Sequence, residues 1–437
     1  MEKVMEGFAK LFLEATENNP VKIISHHDTD GITSAAIMSK TLKKLDKFFT
    51  VKIVKQLEKG TLSQLSKNKN EVLLFLDLGS ASLEELGNLP NRIFIIDHHE
   101  VLEKPRENTT LINSHLLTKE EICGSCLSYL FSKSLIGPDK ELATLGVIGM
   151  VGDMHDRNLS KLTNKIIEDA EVIIKKGLLL YPATRPVHKA LEYSSAMLIP
   201  GVTGNPKGAI TLLREADIKP EKGRYKSLME LNEEELSRLI TAIILRTDKP
   251  TEEIIGSMFL VKFLNKLEDA REISVMINAC SRLGHSSTSL SFCLGNQKEM
   301  EKAAELYAQY KQEIVSGLSF AEQNKIEGKN YLIINARDNI KDTIIGTIAS
   351  IVSMSSKKPA GTIVAGLAYD HEKIKVSARL VGRNGRNVRE ILDKTASELG
   401  GETGGHAVAA GCYIPKDKES FFIENLIKNL DLEVVKI

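Results

Sequence analysis

Three apolar runs of strand length, Val21–Ser25, Val72–Leu76 and Arg92–Ile96, each deliver aspartate at or just beyond their carboxyl ends. The first continues into His26-His27-Asp28-Thr29-Asp30-Gly31, the second into Asp77, and the third into Asp97-His98-His99. Helical stretches such as Ile32–Lys47 and Ser82–Gly87 separate these runs, and a further short run, Val51–Val54, lies between the first two. Alternation of this kind predicts a mainly parallel sheet flanked by helices. A parallel sheet brings the carboxyl ends of its strands to one edge, where such folds bind their ligands. A fourth acid, Asp153, follows the helix-like run that ends in Gly149-Met150-Val151-Gly152.

Carboxylates gathered on one edge repel one another, and burying them uncompensated is costly. Divalent cations relieve that cost. A mixture of carboxylate oxygen and imidazole nitrogen suits Mn²⁺, with Mg²⁺ at oxygen-rich positions. The aspartates and histidines exceed what one ion needs, which points to two ions and to hydrolysis of phosphate esters. An aspartate after a strand is also an ordinary helix N-cap. The joint pattern at three strand ends is what favours metal.

Lys+Arg and Asp+Glu both number 58, so the net charge is zero and a nucleic-acid site must come from local clustering. No apolar run reaches the ~18 residues of a membrane span, and the amphipathic N-terminal helix is unlike a signal peptide. Five cysteines in 437 residues suggest a reducing interior, hence the cytoplasm. The pair Cys123 and Cys126 has no companion pair, and reads as two small buried residues at a helix start.

The periodicity divides the chain into three. Residues 1–158 carry the strand–helix alternation, 159–324 read as a mainly helical bridge, and 325–437 return to a smaller α/β pattern. In the last part Gly400–Gly411 (GGETGGHAVAAG) pairs glycines, through which a backbone can approach a phosphate, with His406 and a run of small residues suited to start a helix. Arg379, Arg383, Arg386 and Arg389 lie close by, a spacing that suits a phosphate track. With aromatic residues at 5% and no Trp, extensive base stacking is not expected.

The order HHDTDG (26–31), LDLGS (76–80), DHH (97–99) and GMVGD (149–153) resembles the motifs of the DHH phosphoesterase superfamily. Gly400–Gly411 resembles the glycine-rich stretch of the DHH-associated domain. Ile277–Arg282 (INACSR) resembles a segment of archaeal RecJ-like nucleases, with Ser281 in place of their glycine. The resemblance implies an α/β fold with a parallel-sheet DHH domain, a helical middle region and a smaller α/β DHH-associated domain. It implies two divalent ions, Mn²⁺ or Mg²⁺. One is held by Asp28 with His26, or His27 in its place; the other by Asp30, His98 and Asp153, with Asp77 between them. It places His99 beside the scissile phosphate and Asp97 behind a neighbouring imidazole. Arg379, His406 and Arg282, with Gly404 and Gly405, are then the phosphate-gripping set.

The implied activity is exonucleolytic hydrolysis of single-stranded DNA or RNA, with no membrane partner and with the replisome GINS complex as a candidate protein partner. Two alternatives stand beside it. One is a phosphoesterase for small substrates such as nanoRNA or phosphoadenosine phosphate. The other is a replisome scaffold with weak nuclease activity. Pyrophosphatase relatives place a histidine four residues before the first aspartate, where this chain has Ile24.

Overall fold

A computed structural model describes residues 2–431, except 58, 66–67, 102, 119, 181, 195–197, 248–253, 356–357, 383 and 402. The chain forms two compact units: Met1–Gly177 with Gly256–Tyr307, and Leu178–Ile255 with Ala308–Ile437. The stretch 159–324 is thus divided between the two units.

In the first unit β1 (Val21–His26), β2 (Phe49–Val54), β3 (Val72–Leu76), β4 (Ile93–Asp97) and β5 (Thr109–Asn113) form one sheet in the order β2-β1-β3-β4-β5. Every pairing is parallel. Burial on both faces explains why β3 and β4 are unbroken apolar runs rather than alternating ones. Leu74, Leu76, Phe94 and Ile96 face a core shared with the helices Glu2–Ala15, Thr29–Lys44, Gly124–Ile136 and Lys140–Gly152. Leu73, Phe75, Ile93 and Ile95 face the other way, onto Leu83 and Leu86. Phe8 and Phe12 meet Phe94 and Phe131 edge to face, with centroids 4.9 to 5.3 Å apart, the arrangement ring quadrupoles prefer. The strand order reverses direction between β1 and β3, so the crevice beyond their carboxyl ends is the topological switch point.

The helix Thr29–Lys44 is buried on nearly all sides. Its first residue is held by a distant helix, Ala270–Arg282: the Thr29 N–H donates to Asn278 Oδ1 at 3.1 Å, and its hydroxyl to the Ser274 carbonyl at 2.8 Å. The middle of the chain is helical as expected, but also contributes β6 (Ile173–Leu178), β7 (Ile255–Phe263) and β8 (Lys266–Asp269), a three-stranded sheet. Met258–Val261 in β7 is continuously buried, and an apolar run without alternation does not separate strand from buried helix.

The second unit carries β9 (Lys325–Glu327), β10 (Tyr331–Arg337), β11 (Ile363–Asp370), β12 (Lys373–Leu380), β13 (Thr403–His406) and β14 (Ala409–Pro415), ordered β13-β14-β12-β11-β10-β9. β10 and β11 are parallel across the helix Asp342–Ser355; the other pairings are antiparallel. The helices Val388–Ser397 and Glu419–Asp431 bury Val388, Leu392, Phe422 and Leu426 against the sheet.

One expectation fails here. The small residues after His406 do not start a helix; Ala409–Pro415 is a strand, paired on both sides. Gly405 adopts φ +118°, and a Cβ there would lie 2.5 Å from the Ala409 carbonyl oxygen, so the hairpin requires glycine at this position.

Candidate metal centre

The acids arrive at the sheet edge by separate local devices. Asp28 caps the helix Thr29–Lys44, its Oδ1 accepting from the Gly31 N–H at 3.0 Å. Gly31 is needed for this turn, because a Cβ there would sit 2.3 Å from the His26 carbonyl oxygen. Asp30, in the first turn, is buried and gripped by the N-terminus of the helix Gly124–Ile136. Its two oxygens accept from Gly124 N at 2.7 Å and Ser125 N at 2.9 Å, a charge-dipole arrangement that favours a carboxylate. Asp77 follows β3 in the left-handed region, φ 58°, a strained setting for a side chain with a Cβ. Asp153 is the C-cap of the helix Lys140–Gly152.

These groups converge. His26 Nδ1 lies 3.0 Å from Asp28 Oδ2 and 3.5 Å from Asp77 Oδ2. His98 Nε2 lies 3.3 Å from Asp77 Oδ1, 3.6 Å from Asp153 Oδ2 and 3.8 Å from Asp30 Oδ2. The two oxygens of Asp77 therefore face different imidazoles, one in each half of the cluster. Ligand-capable atoms fall into three overlapping sets: His26, Asp28 and Asp77; Asp77, His98 and His99; and His98, Asp153 and His155.

Both oxygens of Asp77, Asp153 Oδ2 and His26 Nδ1 are buried without a hydrogen-bond partner. Buried polar atoms are ordinarily satisfied, so this concentration of orphaned donors for a cation fits divalent metal. The electrostatics agree. Burial, with Asp30 and Asp28 adding to it, raises the Asp77 carboxyl well above its ordinary range. Burial and the Asp30 charge push Asp153 up to about 8. Burial pulls His26 down, but Asp28 and Asp77 override it and raise it to about 11.

Asp97 stands apart from this cluster. It is fully buried; Oδ2 accepts from Ser80 N at 2.9 Å, and Oδ1 from the His98 and His99 N–H groups at 2.8 and 3.2 Å. His99 Nδ1 lies 2.7 Å from the same Oδ1. Against the cost of burial, the His99 hydrogen bond and charge hold Asp97 well below the usual carboxylate range, and the same bond raises the His99 imidazole. His99 is half exposed, so its other ring nitrogen is available outside the pair.

The structure distinguishes His26 from His27. Their rings meet at 82° with centroids 4.7 Å apart. His26 is the one whose ring nitrogen approaches Asp28 and Asp77, at 3.0 and 3.5 Å. Burial and the positive charges of His26, Arg282 and Lys55, against the pull of Asp28, lower His27 to about 4.

Arg379, Gly404, Gly405 and His406 belong to the second unit. Arg379 on β12 and His406 on β13 both pair with Ala409 of β14, so they share one face of the sheet. Arg379 is oriented by bonds to Ser350 Oγ and the Ala378 carbonyl, both 2.9 Å. Arg389 Nη1 reaches the Gly405 carbonyl at 3.3 Å. Arg386 departs from the expected phosphate track. It donates to the Leu430 carbonyl at 2.7 Å and pins the C-terminal helix; Arg383 lies outside the described residues.

His155, two residues beyond Asp153, was not among the sequence candidates. Its Nε2 lies 3.2 Å from Asp153 Oδ2 and its ring 5.6 Å from that of His98. The Asp-x-His spacing in Asp153-Met154-His155 was the available signal. Cys123 and Cys126 are free and buried. Among the described residues no helix is long and apolar enough to cross a membrane.

The DHH family N-terminal domain matches residues 20–150, the DHH-CID domain 180–253 and the DHHA1 domain 328–431. An uncharacterized protein of Methanocaldococcus jannaschii is 29% identical over 424 residues, 93% of this chain and 92% of that one. CDC45 from Entamoeba histolytica superposes with a TM-score of 0.70 at 12% identity, over 99% of each chain. RecJ from Thermus thermophilus, in complex with Mn²⁺, superposes with a TM-score of 0.63 at 18% identity, over 99% of this chain. This chain spans about 55% of that RecJ. The chain therefore carries DHH, DHH-CID and DHHA1 domains in that order, on the fold seen in RecJ and CDC45.

Proposed function

We propose that the protein is a metal-dependent phosphodiesterase that hydrolyses single-stranded DNA or RNA from an end. The observation that carries this reading is Asp77, a buried carboxylate with no hydrogen-bond partner, whose oxygens face His26 at 3.5 Å and His98 at 3.3 Å. That is the disposition of a carboxylate shared by two cation positions. Asp28 and His26 would complete one position; His98 and Asp153, with Asp30 behind, would complete the other.

Two divalent ions, Mn²⁺ or Mg²⁺, would acidify water and neutralise charge on the phosphoryl oxygens. The chain's own residues do the rest. Asp97 fixes His99 by its Nδ1, leaving Nε2 as the ring nitrogen that can donate to a phosphoryl oxygen. The N-terminus of the helix Gly124–Ile136 prevents Asp30 from turning away. Arg282 is the phosphate-holding candidate of the first unit; Arg379 and His406 are those of the second, where Gly404 and Gly405 let backbone approach a phosphate. Recognition through phosphate makes binding independent of base sequence and weaker at high salt.

A second reading, a nucleic-acid-binding scaffold with little turnover and with GINS as its partner, draws on the whole-length likeness to CDC45. Digestion of end-labelled single-stranded DNA and RNA with Mn²⁺ separates the two. Exonucleolytic products that vanish in Asp77→Ala and Asp97→Ala support the nuclease. Products undiminished in both variants overturn the metal assignment, and no products at saturating Mn²⁺ bring the scaffold forward.

A further inference from the structure

We propose that His155 is a ligand of the ion held by His98 and Asp153, and that this nitrogen-rich half of the centre selects a divalent transition ion over Mg²⁺. The inference rests on the two-ion reading above and adds a residue and a selectivity to it.

The geometry begins with Asp153. Its Oδ2 is buried and has no hydrogen-bond partner, yet two imidazole nitrogens approach it, His155 Nε2 at 3.2 Å and His98 Nε2 at 3.6 Å. Neither approach is a hydrogen bond. An oxygen and two nitrogens that gather without bonding to one another are arranged around a common point, and all three donor atoms lie within 4.8 Å of each other. On the adjoining side Asp77, 1% exposed, aims an unpartnered Oδ1 at the same His98 nitrogen from 3.3 Å.

Asp30, the oxygen donor that the sequence resemblance assigns to this position, is less free than His155. Both of its oxygens already accept backbone N–H bonds from the helix Gly124–Ile136, at 2.7 and 2.9 Å. His155 carries no such tie on Nε2.

The backbone is built to present His155. Met154 between the two donors is in the left-handed region, φ 58°, and is 70% exposed. A bulky apolar residue is held in a costly conformation and in water, and Asp153 and His155 on either side of it converge. The next residue, Asp156, is buried and paired with Arg271 Nη2; Arg271 Nη1 donates to the Ser257 carbonyl at 2.7 Å. The turn that carries His155 is thereby pinned immediately after it.

Selectivity follows from the donor set. Mg²⁺ favours oxygen and holds its waters, whereas imidazole favours transition ions. With His155 the position holds two imidazoles beside the carboxylates of Asp153 and Asp77, and the second imidazole penalises Mg²⁺ relative to Mn²⁺.

The test titrates Mn²⁺ and Mg²⁺ into the full chain without substrate, and counts imidazole nitrogens on bound Mn²⁺ by their ¹⁴N couplings in pulsed EPR. Wild type is expected to bind two Mn²⁺ ions, one bearing two nitrogens. His155→Asn is expected to lose about tenfold or more in Mn²⁺ affinity at one site, to lose one nitrogen coupling there, and to change little toward Mg²⁺. His155→Gln gives the same readout if the asparagine variant does not fold. Two Mn²⁺ ions bound by the variant with unchanged affinity and nitrogen count overturn the role of His155 while leaving the two-ion reading intact. No Mn²⁺ bound by wild type overturns both.

Discussion

Asp97 and His99 are joined at 2.7 Å through Oδ1 and Nδ1, with the carboxylate fully buried and the imidazole half exposed. The pair is oriented by backbone, because Ser80, His98 and His99 all donate N–H to the same carboxylate. Replacing Asp97 with Asn keeps the shape and removes the charge that raises the His99 imidazole. Hydrolysis by Asp97→Asn is expected to fall by about 10- to 100-fold, chiefly in kcat. Single-turnover kinetics with saturating Mn²⁺ check it; a pure rise in KM would contradict the orienting role.

The pH behaviour of the metal-free protein follows from raised carboxyl and imidazole groups. Asp153 is raised from 3.8 to about 8, so it keeps its proton in the fold where the unfolded chain has lost it. Stability therefore falls as pH rises from 3.8 towards about 8. His26, raised from 6.5 to about 11, contributes stability that is complete below 6.5 and lost as pH rises through about 11. On the two-ion reading proposed above, metal binding displaces both protons. The gain in Tm on adding Mn²⁺ is thus expected to grow between about pH 6 and about pH 8, roughly where the two ranges overlap, with proton release seen as a buffer-dependent binding enthalpy. Equal gains across that range would refute this coupling.

Gly31→Ala places a methyl 2.3 Å from the His26 carbonyl oxygen, which is backbone and cannot swing aside. Overpacking of this kind costs about 1–3 kcal/mol, and here it displaces both His26 and Asp28. A lower Tm together with weaker Mn²⁺ binding is expected. A variant with full metal affinity would show that this turn is not needed for the cluster.

Arg271→Ala leaves Asp156 as a buried, unpaired carboxylate, at a cost of about 3–5 kcal/mol. Denaturant unfolding monitors the loss. Double substitution with Asp156→Asn is expected to recover part of it, since the stranded charge is then gone.

The parts of the fold legible in the chain are those in which local pattern and burial coincide. β1, β3 and β4 are five- or six-residue apolar runs buried from both sides, and their terminal aspartates follow directly. β7 was lost in a stretch of helices because Met258–Val261 shows no alternation. The hairpin of β13 and β14 was lost because glycine and alanine carry neither a face nor a period. Arg386 looked like part of a phosphate track because its partner, the Leu430 carbonyl, is 44 residues away and belongs to the backbone. His26 and His27 were chemically equivalent in sequence; direction at the strand end separates them, and that depends on where Asp77 stands. His155 gains its meaning from the left-handed turn at Met154, which residue type does not announce.

The grip of Ser274 and Asn278 on Thr29 also sets an order of events on the ribosome. Thr29 leaves the tunnel early, but its hydroxyl acceptor follows 245 residues later and its amide acceptor 249 later. A nascent chain therefore carries all of the clustered aspartates long before the helix that anchors the turn between the first two exists. For most of translation the cradle is unfinished, and a chain interrupted before Asn278 has the ligands without the brace.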